Sequence, residues 1–346
     1  MTATLGAPQR LRRSDGSAWG IRRLRRGRGF SYVDDDGGHV ADEETLTRIR
    51  ALAIPPAWKD VWICADPYGH LQATGFDAAG RKQYLYHEQW RAHRDREKFR
   101  RMLALAEGLP RLRRPVAEDL RRHELDEPRV LACSVRLLDL GLFRIGSEEY
   151  AEHGGGLGLA TLDKQHVKVR DDAMTFDYPA KSGVRRRHTV VDTDARAVIA
   201  SLKRRRGGGE QLLAYRRGRD WSPIRSEEIN EYIKRHLGEE FSAKDFRTWN
   251  ATVLAAVVLA SRHNGAGTKG PRKRVVDGAV RQVAEMLGNT PAVARRSYID
   301  PRVIDRYLSG TTIEIGQRAP GTLTTTGDRT RRRVERAVID LLDESS

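Results

Sequence analysis

The sequence predicts an α+β protein: a small N-terminal antiparallel β-sheet domain, then a larger, mostly α-helical domain that carries a three-stranded β-meander. Three observations carry that expectation. Short segments rich in Val, Ile, Tyr and Trp alternate with turn residues in the first quarter of the chain. Helical periodicity takes over at His87, and three strand-like segments then interrupt the helices between "HVKVR" and "GVRRRHTVV". The boundaries that follow are residues 1–18 as a basic disordered N-terminus, 19–90 as the sheet domain and 91–346 as the helical domain. With 346 residues, 39% of them apolar, the chain can bury two cores of ordinary size.

Taken in order, "WGIRRLRRGRGFSYVDDDGG" alternates as a hairpin does, and "DEETLTRIRAL" is a short helix stopped by Pro55 and Pro56. "DVWICAD", "GHLQATGFD" and "KQYLYH" are strands separated by "PYG" and "AAG" turns. "EQWRAHRDREKFRRMLALAEG" is a long helix with Trp90, Phe99, Leu103 and Leu105 among basic residues. In "EPRVLACSVRLLDLGLFRIG", Leu131, Val135, Leu138 and Leu142 keep helical spacing, which puts Arg144 at the helix end just before Gly146. The meander follows, with Asp171 and Asp172 in its first turn and "AKSG" in its second, so Lys181 stands at a hairpin tip. "RSEEINEYIKRHLG", "AKDFRTWNATVLAAVVLASRHNG", "VVDGAVRQVAEMLG" and "TPAVARRSYID" return to helix. The second is apolar nearly all round from Val253 to Ala260, as a buried central helix should be. Gly288 ends one helix, Thr290 caps the next and Pro291 opens it. Asn289 therefore falls in a tight turn with exposed side-chain donors, and Tyr298 comes near the end of the short helix.

Composition narrows the partners. Lys plus Arg number 63 against 47 Asp plus Glu, a net charge of +16, which favours a polyanion and nucleic acid above all. Only 11 of the basic residues are lysines, so a lysine at a special place carries more information than an arginine. Cys64 and Cys133 are far apart and without metal-ligand spacing, which argues against a zinc site or a disulfide framework and fits a reducing, cytoplasmic setting. "MTATLGAPQRLRRSDG" lacks the apolar middle of a signal peptide, and no apolar run is long enough to span a membrane. There is no Walker-type loop, no His-Glu-x-x-His and no Asp cluster for divalent metal, so neither nucleotide cofactor nor metal is expected. "HGGGLG" and "RRRGGGEQ" lack the strand and helix context of a nucleotide site and read as mobile loops.

Cutting a phosphodiester without metal requires fixed cationic or neutral donors around the non-bridging oxygens, a nucleophile, and a proton source for the leaving oxygen. Guanidinium suits the first task because its fork matches two phosphate oxygens. The candidates are Arg144 at a helix end, Lys181 on a hairpin tip, Arg247 at the start of the central helix, Asn289 in a turn, and Tyr298. Each has a plainer reading taken singly: the arginines as helix caps, Lys181 as a solvated turn residue, Asn289 as turn chemistry, Tyr298 as helix packing.

Together and in order, "FRIGSEEYAEHGGGLGLATLDKQHV", "FDYPAKSGVRRRH", "KDFRTW" and "LGNTPAVARRSY" resemble the catalytic motifs of type IB DNA topoisomerases, in the compact poxvirus-like and bacterial branch. "GRKQYLYH" resembles a DNA-contacting strand of that branch. The resemblance implies that Tyr298 forms a 3′-phosphotyrosyl link, that Arg144 and Arg247 hold the scissile phosphate, that Lys181 protonates the leaving 5′ oxygen and that Asn289 donates to a non-bridging oxygen. It places Arg81, Tyr84, Tyr86, Tyr150 and Lys244 at DNA-contact positions, Lys244 also being suited to a proton relay. It implies a monomer clamping duplex DNA, relaxing supercoils with no cofactor. Two departures stand out. Many members have histidine where Asn289 stands, and a neutral amide can donate a hydrogen bond but not a proton. Thr252 stands where poxvirus members carry asparagine, so that contact is not carried over.

Two other readings compete. Tyrosine recombinases share the Arg, Lys, Arg, His and Tyr chemistry but usually carry histidine three residues before the second arginine, where this chain has Lys244. A non-catalytic basic DNA-binding protein would make all these residues structural. The Arg-rich start and the "RTRRRVERAVIDLL" tail are as readily solvated as functional.

Overall fold

The computed structural model describes residues 10–148, 156–262, 269–314 and 328–343. The chain divides into two units, Met1–Lys98 and Phe99–Ser346. The division falls inside the helix Glu88–Leu120, eight residues beyond the expected boundary, where Phe99 is the first side chain of that helix to enter the larger core.

The first unit is a five-stranded antiparallel sheet of β1 (Gly20–Arg26), β2 (Gly29–Asp34), β3 (Lys59–Cys64), β4 (Leu71–Phe76) and β5 (Lys82–Tyr86), in the order β2-β1-β3-β4-β5. Strand β3 explains its construction. Val61 and Ile63 point to one face and pack with Ile21, Ala73 and Ile49, the last from helix α1 (Glu43–Ala51). Trp62 and Cys64 point the other way and pack with Leu71, which a register irregularity between Leu71 and Ala73 turns to that side. A strand that is apolar on both faces needs cover on both. Residues 10–18 supply the second cover, so that part of the expected disordered terminus is ordered; residues 1–9 lie outside the described residues. Arg12 bridges to Gly69, Ser14 Oγ donates to the Leu71 carbonyl at 3.0 Å, and Trp62 Nε1 donates to the Ala18 carbonyl at 3.0 Å. Gly20 is required here: a Cβ would stand 2.2 Å from Trp62 Nε1.

The helix Glu88–Leu120, here α2, begins in the first unit and runs on in the second through Pro110 and Pro115, well past the segment its periodicity marks. Burial of Leu105, Leu109, Leu112 and Val116 outweighs the two missing N–H donors. Helix α3 (Glu127–Leu140) stops at Gly141, earlier than the apolar spacing suggests, and Arg144 lies in the extended segment beyond it. A Cβ at Gly141 would come 2.6 Å from the Phe143 ring, so only glycine lets the chain turn there and tuck Phe143 into the core. The meander is β6 (Val167–Arg170), β7 (Ala173–Pro179) and β8 (Arg185–Val191), antiparallel and in chain order. Helix α4 (Thr193–Arg204) and the hairpin β9 (Ala214–Arg217) and β10 (Asp220–Pro223) follow. Between them, Arg205 donates to the carbonyls of Leu202, Gly208 and Leu212, so the glycines of "RRRGGGEQ" form an arginine-centred turn and not a mobile loop.

The remaining helices are α5 (Ser226–Leu237), α6 (Ala243–Ser261), α7 (Lys269–Leu287), α8 (Pro291–Ser297), α9 (Pro301–Ser309) and α10 (Asp328–Leu342). Helix α6 is the centre, with Phe246, Trp249 and every residue from Val253 to Leu259 buried. The arginine-rich tail is not a solvated appendage. In α10, Arg331 is 4% exposed and reaches Glu335 at 2.9 Å and Asn250 Oδ1 of α6 at 3.1 Å. Arg113 closes the group on Asp139 at 2.8 Å and Glu335 at 2.7 Å. Among the described residues no helix is long and apolar enough to cross a membrane.

Candidate active site

Arg247 sits in the second turn of α6 and is 4% exposed. Its two terminal nitrogens donate to the carbonyls of Leu142 and Leu287. Those carbonyls belong to the segments that carry Arg144 and Asn289, each two residues further on. One guanidinium therefore sets the spacing of two other site residues, a task its rigid fork suits better than an ammonium. Burial lowers the Arg247 pKa to about 10, and Arg144 and Arg186 add to the effect. It remains cationic at neutral pH.

Arg144 is held by its backbone: Leu159 N–H donates to its carbonyl at 2.8 Å, and Ala160 N–H to that of Ile145 at 2.7 Å. The approach requires glycines on both sides, since a Cβ on Gly146 would lie 2.8 Å from Gly158 Cα. Gly156, with φ of +87°, likewise passes against the Ala180 backbone beside Lys181, where a Cβ would meet it at 2.3 Å. The described end of "HGGGLG" is thus a close-packed crossing and not a mobile loop. The Arg144 side chain donates to Asn289 Oδ1 at 2.5 Å. With its oxygen so occupied, Asn289 is left with Nδ2 buried and without a hydrogen-bond partner. The amide donor expected to be exposed in this turn is therefore buried. Gly288 adopts φ of +61°, Thr290 Oγ1 accepts from Val293 N–H at 3.3 Å and Pro291 opens α8.

Tyr298 caps the C-terminal end of α8, half-buried. The Arg247 guanidinium carbon lies 5.2 Å from its ring centroid. Burial opposes ionisation of the phenol, but the charges of Arg247, Arg144 and Lys244 outweigh it and hold its pKa below the usual value. The cations gathered at the site thus also favour the ionised form of the phenol.

Arg144, Arg247, Asn289 and Tyr298 converge, with Lys244, exposed on the first turn of α6, within electrostatic reach of the phenol. Lys181 is exposed on the turn Lys181–Gly183 between β7 and β8. In the first unit, Tyr84 and Tyr86 lie two residues apart on one face of β5, stacked with centroids 6.2 Å apart, and 48% and 38% exposed. Arg81 stands on the preceding turn with its guanidinium on Asp77 at 2.9 Å, the arginine exposed and the carboxylate mostly covered. Tyr150 lies outside the described residues. Two further residues, Arg186 and His188, are unmarked in the sequence, and a third, Thr252, is marked there only as a contact not carried over. Arg186 of β8 donates to the carbonyls of Glu285 and Met286, closing the end of α7 that leads to Asn289. His188 packs against Phe143 with centroids 4.3 Å apart, both ring nitrogens buried without a hydrogen-bond partner. Thr252 holds the backbone around Tyr298.

Comparison with known proteins gives the family. Residues 87–312 match the family described as the catalytic core of eukaryotic DNA topoisomerase I, and residues 29–77 match the N-terminal domain of bacterial DNA topoisomerase IB. The chain is 29% identical over 298 residues to the DNA topoisomerase 1B of Acanthamoeba polyphaga mimivirus, covering 83% of this chain and 87% of that one. It is 20% identical over 268 residues to the DNA topoisomerase 1B of vaccinia virus (strain Copenhagen), covering 76% and 82%. Since the catalytic-core match alone spans well over half of its length, the chain belongs to the type IB DNA topoisomerases and is an enzyme of that class.

Proposed function

We propose that the chain nicks one strand of duplex DNA through a 3′-phosphotyrosyl intermediate on Tyr298, lets the free end rotate, and reseals it without ATP or metal. The observation that carries this reading is the set of donors around the phenol. Arg144 and Arg247 face it with no carboxylate paired to either among the described residues, and Asn289 Nδ2 is a buried donor without a partner. An unpartnered buried donor beside uncompensated cations is costly unless an anion completes it. A phosphodiester does so with its two non-bridging oxygens.

In the forward step the Tyr298 oxygen bonds to phosphorus as the bond from phosphorus to O5′ breaks, and Lys181 supplies the proton that O5′ takes up. A phenol at its usual pKa is ionised to only about one part in a thousand at neutral pH, and Arg247, Arg144 and Lys244 increase that share. Asn289 acts as a donor alone. The new link to an aryl oxygen conserves the energy of the cleaved bond, so the 5′ hydroxyl reverses the step with no added energy source. Superhelical torque turns the free strand end between the two steps. We extend the proposal to duplex DNA bound by one copy of the chain, in the cytoplasm, with Arg81, Tyr84, Tyr86 and Tyr150 contributing further DNA contacts.

The test is relaxation of supercoiled plasmid with EDTA present and ATP absent, comparing the parent with Tyr298→Phe. Relaxation by the parent alone, with DNA trapped covalently on denaturation, is the expected result. Relaxation by Tyr298→Phe, or a requirement for magnesium or ATP, overturns the reading; recombined products from two-site substrates would favour strand exchange instead.

A further inference from the structure

We propose that Thr252 is a positioning residue for the nucleophile, setting the attack geometry of Tyr298 through its backbone. The proposal rests on the reading of Tyr298 as the nucleophile. Thr252 is completely buried on α6, five residues beyond Arg247. Its hydroxyl donates to the Tyr298 carbonyl at 3.1 Å and accepts from the Asp300 N–H at 3.1 Å. Met102 Sδ, at 3.4 Å, is the weaker alternative acceptor for the single hydroxyl proton. One hydroxyl therefore bridges the two sides of the turn in which α8 ends and the nucleophile leaves the helix.

The rest of that turn is fixed by other means. The N–H groups of Tyr298 and Ile299 both donate to the Ala294 carbonyl at 3.1 Å, Ile299 and Asp300 are buried, and Asp300 caps α9 by accepting from Arg302 N–H at 3.0 Å. The Tyr298 carbonyl is tied to helix α6 by Thr252. The same helix presents Arg247 to the Tyr298 ring, 5.2 Å from its centroid. Helix α6 thus grips the tyrosine at its backbone and at its ring, and carries the guanidinium expected to hold the phosphate. That arrangement fixes nucleophile and phosphate against one rigid element, the condition for a near-attack geometry. Removing the hydroxyl leaves a buried carbonyl and a buried N–H without a partner and lets the turn relax away from α6.

Three variants test this in the full-length protein: Thr252→Val, which keeps the shape and loses the hydroxyl; Thr252→Ser, which keeps the hydroxyl and loses a methyl; and Tyr298→Phe as the chemical blank. Covalent adduct formation and religation on a duplex oligonucleotide are followed in single turnover at saturating enzyme, with DNA affinity and thermal unfolding measured in parallel. Thr252→Val is expected to slow both directions by about 10- to 100-fold with affinity unchanged, and Thr252→Ser to stay within about threefold of the parent. A purely structural role would lower the unfolding temperature of Thr252→Val and leave its rates intact well below that temperature. Parent-like rates in Thr252→Val, or equal slowing in Thr252→Ser, overturn the proposal while leaving Tyr298 as nucleophile. Absence of any adduct with the parent overturns the nucleophile itself. If Thr252→Val does not fold, Thr252→Ala loses the same hydroxyl and is read in the same way.

Discussion

The His188 side chain offers a prediction whose size can be worked from the structure. Its ring lies between Phe143, edge-on with centroids 4.3 Å apart, and Phe176, stacked at 5.6 Å, and neither nitrogen has a hydrogen-bond partner. Burial, with Arg186 and Arg247 nearby, lowers its pKa to about 3. In the unfolded chain a histidine titrates near 6.5. The folded value is the lower one, so the unfolded state binds more protons in acid and folding loses stability as pH falls. The loss begins near 6.5, grows with a limiting slope of about 1.4 kcal/mol per pH unit and levels off near the folded value. Integrated from pH 7.5 to pH 5.0, it comes to about 2 kcal/mol. His188→Phe removes the titration and two unpartnered nitrogens. At pH 7.5 it should stay within about 1 kcal/mol of the parent, relief of the orphan atoms offsetting the added ring volume. Urea unfolding of both proteins at the two pH values is the assay. The parent should lose about 2 kcal/mol more than His188→Phe on acidification. Equal losses would mean that His188 is charged or solvated in the folded state, and the account of the aromatic box would fail.

Three other expectations follow from the same contacts. Arg247→Lys keeps the charge but cannot hold the Leu142 and Leu287 carbonyls together, so single-turnover cleavage should fall by about 10²- to 10³-fold, and a parent-like rate would refute the keystone role. Arg331→Ala should cost about 3–5 kcal/mol in urea unfolding, since it strips buried Asp139 and Glu335 of a shared partner; a loss below about 1 kcal/mol would show the tail to be dispensable. Replacing both Tyr84 and Tyr86 with alanine should weaken DNA binding without changing its salt dependence, whereas Arg81→Ala should reduce the slope of log affinity against log salt by about one; identical slopes would remove Arg81 from the phosphate contacts.

Much of this was legible in the sequence, and the exceptions share a cause. The meander, the central helix and the Gly288, Thr290, Pro291 junction are encoded by neighbours within a few residues, where periodicity and capping rules act. Arg186, by contrast, does its work on carbonyls about a hundred residues away, and Thr252 on a turn 46 residues on, so local pattern carries no trace of either. The helix end at Gly141 was hidden because Leu142 continues the apolar spacing although Phe143 needs the chain to turn. One signal was present in the residues: "VWIC" is apolar on both faces of β3, which already demands a second cover and finds it in residues 10–18. Asn289 shows the reverse case. Its turn is readable from neighbours, but the direction of its amide depends on Arg144, 145 residues away.

The two arginine clusters of the second unit make the strongest internal argument about what the site awaits. Arg113, Arg136 and Arg331 meet Asp139, Asp192, Asp328 and Glu335, and all but Asp328 are largely withdrawn from solvent. There the Asp139 carboxyl is held well below the usual carboxylate range, chiefly by Arg113 and Arg331 working against its burial. The stability this pairing contributes is therefore lost progressively as pH falls below about 4, where the unfolded chain takes up a proton that folded Asp139 does not. Arg144, Arg186 and Arg247 form a second cluster in the same unit, but among the described residues they meet carbonyls, an amide and two tyrosines instead of carboxylates. Burial first, and Arg144 in addition, depress the pKa of both Arg186 and Arg247, and only Tyr178 and Tyr298 act in the other direction. A fold that neutralises one buried arginine cluster so thoroughly shows that it can do so. Leaving the other without a carboxylate fits the proposal that a phosphodiester supplies the missing negative charge, beside the phenol of Tyr298.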